Sequence, residues 1–191
     1  MIARRLSAAI LLAVLAGCAS IAKVETGPRT IGERLTVQID GPWNQVNAPG
    51  LGPAIIWTME GLPVDQLMIY TGVRDGAAIN ATPRGSTKSF NFRATMEPEE
   101  IEAMFEAMLT QDGSSMKLTK LEPAPFGGQR GYRFEFDLVR KKDNVHIAGI
   151  AYGAISKREL FAIVYVAPRL TFFPRHVASV VKIAESARIK E

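Results

Sequence analysis

One cysteine and two histidines are all that this chain of 191 residues offers in soft or imidazole ligands. A lone thiol excludes an internal disulfide framework. A structural zinc or iron–sulfur site needs three or four donors, so neither metal chemistry nor a cofactor is expected. Long apolar runs are missing as well. Leu6 to Ala16, broken only by Ser7, is the greasiest stretch. As a helix it reaches about 16 Å, roughly half of a hydrocarbon core, too short to span a bilayer. No G-x-S-x-G elbow occurs, and Gly50-Leu51-Gly52-Pro53 lacks the third glycine and the lysine that a phosphate loop requires. No repeat, heptad or low-complexity tract is present. Charge of one sign is also lacking: 23 basic side chains face 19 acidic ones, a net of +4. Arg4 and Arg5 fall in the first 17 residues, so the remainder carries 21 against 19. That balance gives no reason to expect nucleic acid as a partner.

What is present at the N-terminus is ordered. Met1-Ile2-Ala3-Arg4-Arg5 is a short basic start, Leu6–Ala16 is apolar, and small residues close the run. That sequence of regions describes a secretory signal peptide. Leu15-Ala16-Gly17-Cys18 resembles the lipobox of bacterial lipoproteins. The resemblance implies recognition of Leu15, Ala16 and Gly17 by the signal peptidase, cleavage before Cys18, and a diacylglycerol thioether on the Cys18 sulfur. It also implies a membrane partner through that lipid, since two or three acyl chains hold firmly where one binds reversibly. Ala19, where retained lipoproteins often carry aspartate, implies the outer membrane, facing the periplasm.

Three segments are expected: a signal peptide over 1–17, a lipid-anchored flexible tether over 18–30, and one globular domain over 31–191. Gly27-Pro28 marks the tether as irregular. Arg34–Ile39 alternates and predicts a strand, and "DGPWNQVNAPGLGP" predicts a loop. "AIIWTM" and "QLMIYTGV" predict two strands around a Glu60–Pro63 turn. Residues 74–93 are punctuated by Gly and Pro and predict a long surface loop, a common home for function. Pro98, an acidic first turn and Gly113 bracket a helix. Its Ile101, Met104, Phe105, Met108 and Leu109 form one apolar stripe. A strand over Met116–Leu121 follows. Tyr132, Phe134, Phe136 and Leu138 then alternate with Arg133, Glu135 and Asp137, a strand with one wet face. Val145–Tyr152 and Leu160–Ala167 are apolar on both faces, as central strands are. Pro174 opens a last helix with Val177, Val180, Val181 and Ala184 on one face.

The pattern predicts an α+β fold: an antiparallel meander with helices packed on one face. The order of "GYRFEFDLVRKKDNVHIAGIAYG", "LFAIVYVAP" and the last helix resembles the PsbP/Mog1-like sandwich, over residues 95–187. That superfamily is mostly binding and assembly proteins, so the resemblance implies a non-enzymatic role.

Residues able to do chemistry are few. His146 and His176 read as ordinary polar histidines. Glu97, Glu99, Glu100, Glu102 and Glu106 read as a solvated helix face that complements the dipole. Arg140-Lys141-Lys142 and Lys157-Arg158 fall at hairpin tips on opposite ends of the sheet. Trp43, Trp57, Tyr70, Phe90 and Phe92 complete a core or line a groove. The expectation is therefore a lipid-anchored, non-enzymatic binding or assembly module of the cell envelope, with an envelope protein as the candidate partner. One alternative is a carrier or sensor of a small hydrophobic ligand near Met104 and Met108. The other is a hydrolase of envelope polymers, which needs a cleft joining a histidine to a serine or carboxylate.

Overall fold

The fold is described from a computed structural model, for residues 20–81 and 88–190. In chain order its strands are β1 (Ser20–Lys23), β2 (Gly27–Ile31), β3 (Leu35–Ile39), β4 (Asn44–Asn47), β5 (Ile55–Thr58) and β6 (Gln66–Arg74). After helix α1 (Pro98–Leu109) come β7 (Ser115–Phe126), β8 (Gln129–Val139), β9 (His146–Ser156) and β10 (Glu159–Pro168). Helix α2 (Phe172–Ser186) and the short β11 (Arg188–Ile189) close the chain.

Eight strands form one antiparallel sheet in the order β1-β4-β5-β6-β10-β9-β8-β7, and β11-β3-β2 form a second, smaller sheet. Along β10, Phe161, Ile163 and Tyr165 point to one side, into a core shared with the small sheet and with Val180, Ile183 and Ala184 of α2. Ala162 and Val164 point to the other side, into a core closed by Ile101, Met104, Phe105 and Met108 of α1. The predicted α+β class and antiparallel sheet are observed. The placement of both helices on one face is corrected: α1 covers one face of the large sheet, and α2 with the small sheet covers the other. The physical reason lies in β9 and β10 themselves. Strands apolar on both faces need cover on both faces, and one helical layer supplies only one.

The register of β8 on β9 fits large to small. Tyr132, Phe134 and Phe136 stand opposite Gly153, Ala151 and Gly149. The aromatic rings thus lie over residues with little or no side chain, which lets the rings of β8 pack along the strand, Tyr132 stacked on Phe134 at 6.2 Å between centroids and Phe136 tilted against Phe134 at 5.9 Å.

Helix α1 begins as its sequence dictates. Pro98 occupies the first turn, and the Glu97 backbone N–H donates to the Glu100 carboxylate at 2.9 Å. Gly113, at φ +89°, ends the following turn by donating to the Thr110 carbonyl at 2.8 Å.

Three expectations are revised. The stretch read as a flexible tether contains two strands among its described residues: Ser20–Lys23 pairs antiparallel with Asn44–Asn47 of β4, and Gly27–Ile31 pairs with β3. All four side chains of β1 are exposed, so no burial alternation marks it as a strand. Asn44–Asn47, inside the predicted loop, is a strand through its pairing with β1 and β5, and its half-buried and exposed side chains show no alternation either. Strand β7 runs on through "EPAPF", where its edge position tolerates Pro123 and Pro125. Residues 74–81 and 88–93 are not simply surface loop. Ala78 bridges Asn91, the Ile79 N–H donates to the Phe90 carbonyl at 2.9 Å, and Phe92 is fully buried. The remainder of that predicted loop lies outside the described residues.

Candidate functional site

The expected lipid-attachment residue Cys18 and the Leu15, Ala16 and Gly17 before it lie outside the described residues. The candidate site within them is an apolar groove of about 680 Å³ under the C-terminal end of α1. Ile56 of β5, Met68 and Tyr70 of β6, Ile79 beyond it and Met108 of α1 contribute its walls. Alternation places them together: Ile56, Met68 and Tyr70 all belong to the α1-side core. Gln66, Gln111 and Asp112 stand at its polar rim.

Polar groups in the groove are largely committed to the fold. The Tyr70 hydroxyl donates to the Ile79 carbonyl at 3.2 Å and lies 3.7 Å from the Met108 sulfur. Burial pushes that phenol well above its ordinary range, so it stays protonated. The Asn80 amide donates to the Ala81 and Lys88 carbonyls and accepts from the Phe90 N–H at 3.0 Å, holding the chain at the groove's wall. Inside the rim of Gln66, Gln111 and Asp112, the space is lined mainly by hydrocarbon and thioether, a surface suited to an apolar partner. A second groove of about 730 Å³ lies at the β7–β8 hairpin, lined by Pro123, Pro125, Gly127 and Gly128 with Glu185 and Arg188. There the Arg188 guanidinium donates to the Glu185 and Ala187 carbonyls, so it braces the end of α2.

The predicted chemistry-bearing residues do not meet in either groove. His146 is exposed at the start of β9. His176, on α2, sits 2.7 Å from the Glu60 carboxylate, which also accepts from Arg175 at 3.0 Å. Those two hydrogen bonds hold the Glu60 carboxyl below its usual range. Ser179, one turn further along α2, donates to Asp40 at 2.7 Å and is not turned toward His176. Of the helix acids, Glu102 departs from the solvated-face reading. It is buried on α1, its Oε1 finds no partner among the described residues, and burial followed by the Glu106 charge pushes its carboxyl upward.

The basic turns are partly neutralised in place. Arg140 donates to both Asp143 oxygens and to the Pro63 carbonyl, and Arg158 pairs with Asp75 at 2.5 Å. Among the singled-out aromatics, Tyr70 lines the groove under α1. Trp43 packs edge-on against Tyr165 at 6.1 Å in the α2-side core, and Phe92 is core on the other side. Sequence reasoning missed Asp65, which is fully buried between β5 and β6. It accepts from the Thr58 hydroxyl at 2.5 Å and from the Met59 and Glu60 N–H groups at 3.0 and 2.8 Å. A lone aspartate after "GLPV" carries no periodic signal, yet Asp in a turn is a standard acceptor for nearby backbone donors.

No family model and no curated protein matches this chain. Among solved structures, the solution structure of cyanobacterial PsbP (CyanoP) from Synechocystis sp. PCC 6803 is similar to it. The match has a TM-score of 0.59 and 13% identity, over 92% of this chain and 95% of that one. It shows a PsbP-like fold, in agreement with the sandwich that the order of the C-terminal elements resembles.

Proposed function

We propose that this chain is a lipid-anchored, non-enzymatic binding or assembly module of a bacterial cell envelope, held by Cys18 at the outer membrane and facing the periplasm. The basic, apolar and small-residue order ending in Leu15-Ala16-Gly17-Cys18 supports the anchor. The observation that carries a binding role is the groove under α1. It is walled by Ile56, Met68, Ile79 and Met108, and its tyrosine and asparagine are already spent on the fold. A PsbP-like fold agrees with that role, by analogy of fold alone.

The same groove favours a small apolar ligand as the second reading, because its volume of about 680 Å³ falls within the few hundred to a thousand Å³ of ligand sites. A hydrolase of envelope polymers is less well supported, since His176 is engaged with Glu60 and Ser179 with Asp40.

Intact mass of the protein from its membrane fraction, beside Cys18→Ala expressed identically, tests the anchor. Loss of residues 1–17 with added lipid mass on Cys18 is expected; an unlipidated, soluble wild type refutes it. Titration with N-phenyl-1-naphthylamine tests the groove. Ala54, 8% exposed, lines it, so Ala54→Phe is expected to weaken probe binding at least fivefold with an unchanged circular dichroism spectrum. Equal binding by both proteins would remove the ligand reading, and crosslinking in the envelope would then address a protein partner.

A further inference from the structure

The chain is 22% charged, yet no charged residue occurs from Gly41 to Thr58, eighteen positions where that average would place roughly four. The fold brings this stretch to one edge of the large sheet, because β4 lies between β1 and β5. Ser20, Ile21 and Ala22 of β1 pair with Asn47, Val46 and Gln45 and add no charge of their own. Lys23 is the first charged group on this edge, and it stands opposite Asn44 at the far end of β1. The near end, at Ser20, meets the uncharged turn Asn47–Ala54. Hydrocarbon is exposed here, as it is at Leu62, Leu118 and Leu170 elsewhere: Ile21 is 68% exposed, Pro49 and Pro53 are exposed, and Leu51 is half-buried.

Covalent geometry ties this end to the anchor. Cys18 lies two residues before Ser20, and two trans peptide units span at most about 7.6 Å between Cα atoms. A lipid on Cys18 therefore leaves no room for a spacer between bilayer and sheet. A surface held that close to headgroups loses part of its hydration. Charged side chains there cost desolvation energy, while an exposed isoleucine or leucine gains by entering the boundary with the acyl chains. The edge strand gains as well, because a membrane surface shields its unpaired backbone from other chains.

We propose that β1 and the Asn47–Ala54 turn form a membrane-apposed face, so that the lipid fixes the orientation of the domain and not only its location. This rests on the lipoprotein reading of Cys18. Its occupant is the bilayer interface.

The test uses the lipidated full-length product. Its Cys18 sulfur is blocked by the thioether, so an introduced cysteine is the free thiol for labelling. Ile21→Cys, Pro49→Cys and Leu51→Cys are compared with Lys142→Cys, at the exposed β8–β9 turn on the other end of the sheet. Each carries an environment-sensitive fluorophore, in phosphatidylethanolamine/phosphatidylglycerol vesicles containing a lipid-borne quencher. At least twofold stronger quenching at 21, 49 and 51 than at 142 is expected. Equal quenching at all four, with lipid mass confirmed on Cys18, overturns the orientation and leaves the lipoprotein reading intact. Shielding of position 51 from aqueous iodide without lipid quenching places protein on this edge and also overturns it. Absence of lipid mass on Cys18 overturns both readings together.

Discussion

Gly149→Ala isolates the large-to-small fit between β8 and β9. Gly149 faces Phe136 in register, and its φ is not in the left-handed region, so alanine meets no backbone obstacle. The obstacle is steric. A Cβ there would stand 2.5 Å from Phe136 Cε1, with Cζ and Cε2 nearer still. Carbon atoms rest at roughly 3.5–4.0 Å, so the ring has to retreat by about 1 Å or more. Phe136 is 1% exposed, and Phe134 lies beside it. Overpacking of this kind costs about 1–3 kcal/mol. Replacing glycine within a strand returns about 0.5–1 kcal/mol of backbone entropy. The net expectation is a loss of about 1 kcal/mol, or roughly 2–4 °C in Tm for a domain of this size. Urea unfolding followed by circular dichroism, on the Cys18→Ala chain to keep it in solution, measures it. Phe136→Leu combined with Gly149→Ala is expected to cost less than the two single changes added together, because the shorter side chain removes the overlap. A Gly149→Ala protein within 0.5 kcal/mol of its parent, or a strictly additive double variant, would refute the reasoning.

Asp65→Ala is expected to cost about 3 kcal/mol in the same urea assay, since one buried carboxylate serves Thr58 and two backbone donors. Glu102→Leu is expected to stabilise by about 1–3 kcal/mol at pH 7, because it removes a buried carboxylate oxygen without a partner. The sign of its pH dependence follows from the upward shift of Glu102. The folded state holds this proton more tightly than the unfolded one, so the wild type gains stability as pH falls through the raised folded value. The advantage of leucine is therefore expected to shrink from pH 7 toward pH 4. An advantage that stays constant across that range, measured by urea midpoints, would mean that Glu102 ionises as freely in the folded protein as in the unfolded one.

Residues with strong periodicity reported their own structure. The stripe of α1, the alternation of β8 and the two-sided greasiness of β9 and β10 each survive into the fold, because burial selects side chains at the period of the element. Two-sided β9 and β10 also contained the correction to the helix layers, since each face of such a strand needs its own cover. Strands β1 and β4 were illegible for the opposite reason. Their side chains are exposed or half-buried, and backbone pairing with neighbours distant in sequence makes them strands. The groove was only partly legible: Met108 was singled out, but Ile56, Met68 and Ile79 come from separate stretches and meet only through the pairing of β5 with β6 and the packing of α1.

The sequence by itself determined the class of the fold, the identity of most core residues and the expectation of a lipid at Cys18, because these depend on local period and on a contiguous motif. Tertiary structure alone decided that the helices lie on opposite faces, that Asp65 is a buried acceptor and that one Glu102 oxygen lacks a partner among the described residues. It also decided that an uncharged stretch of chain becomes one edge of the sheet, paired with Ser20–Lys23. Each of those facts depends on which strands pair and in what register, a long-range choice that no short stretch of residues encodes.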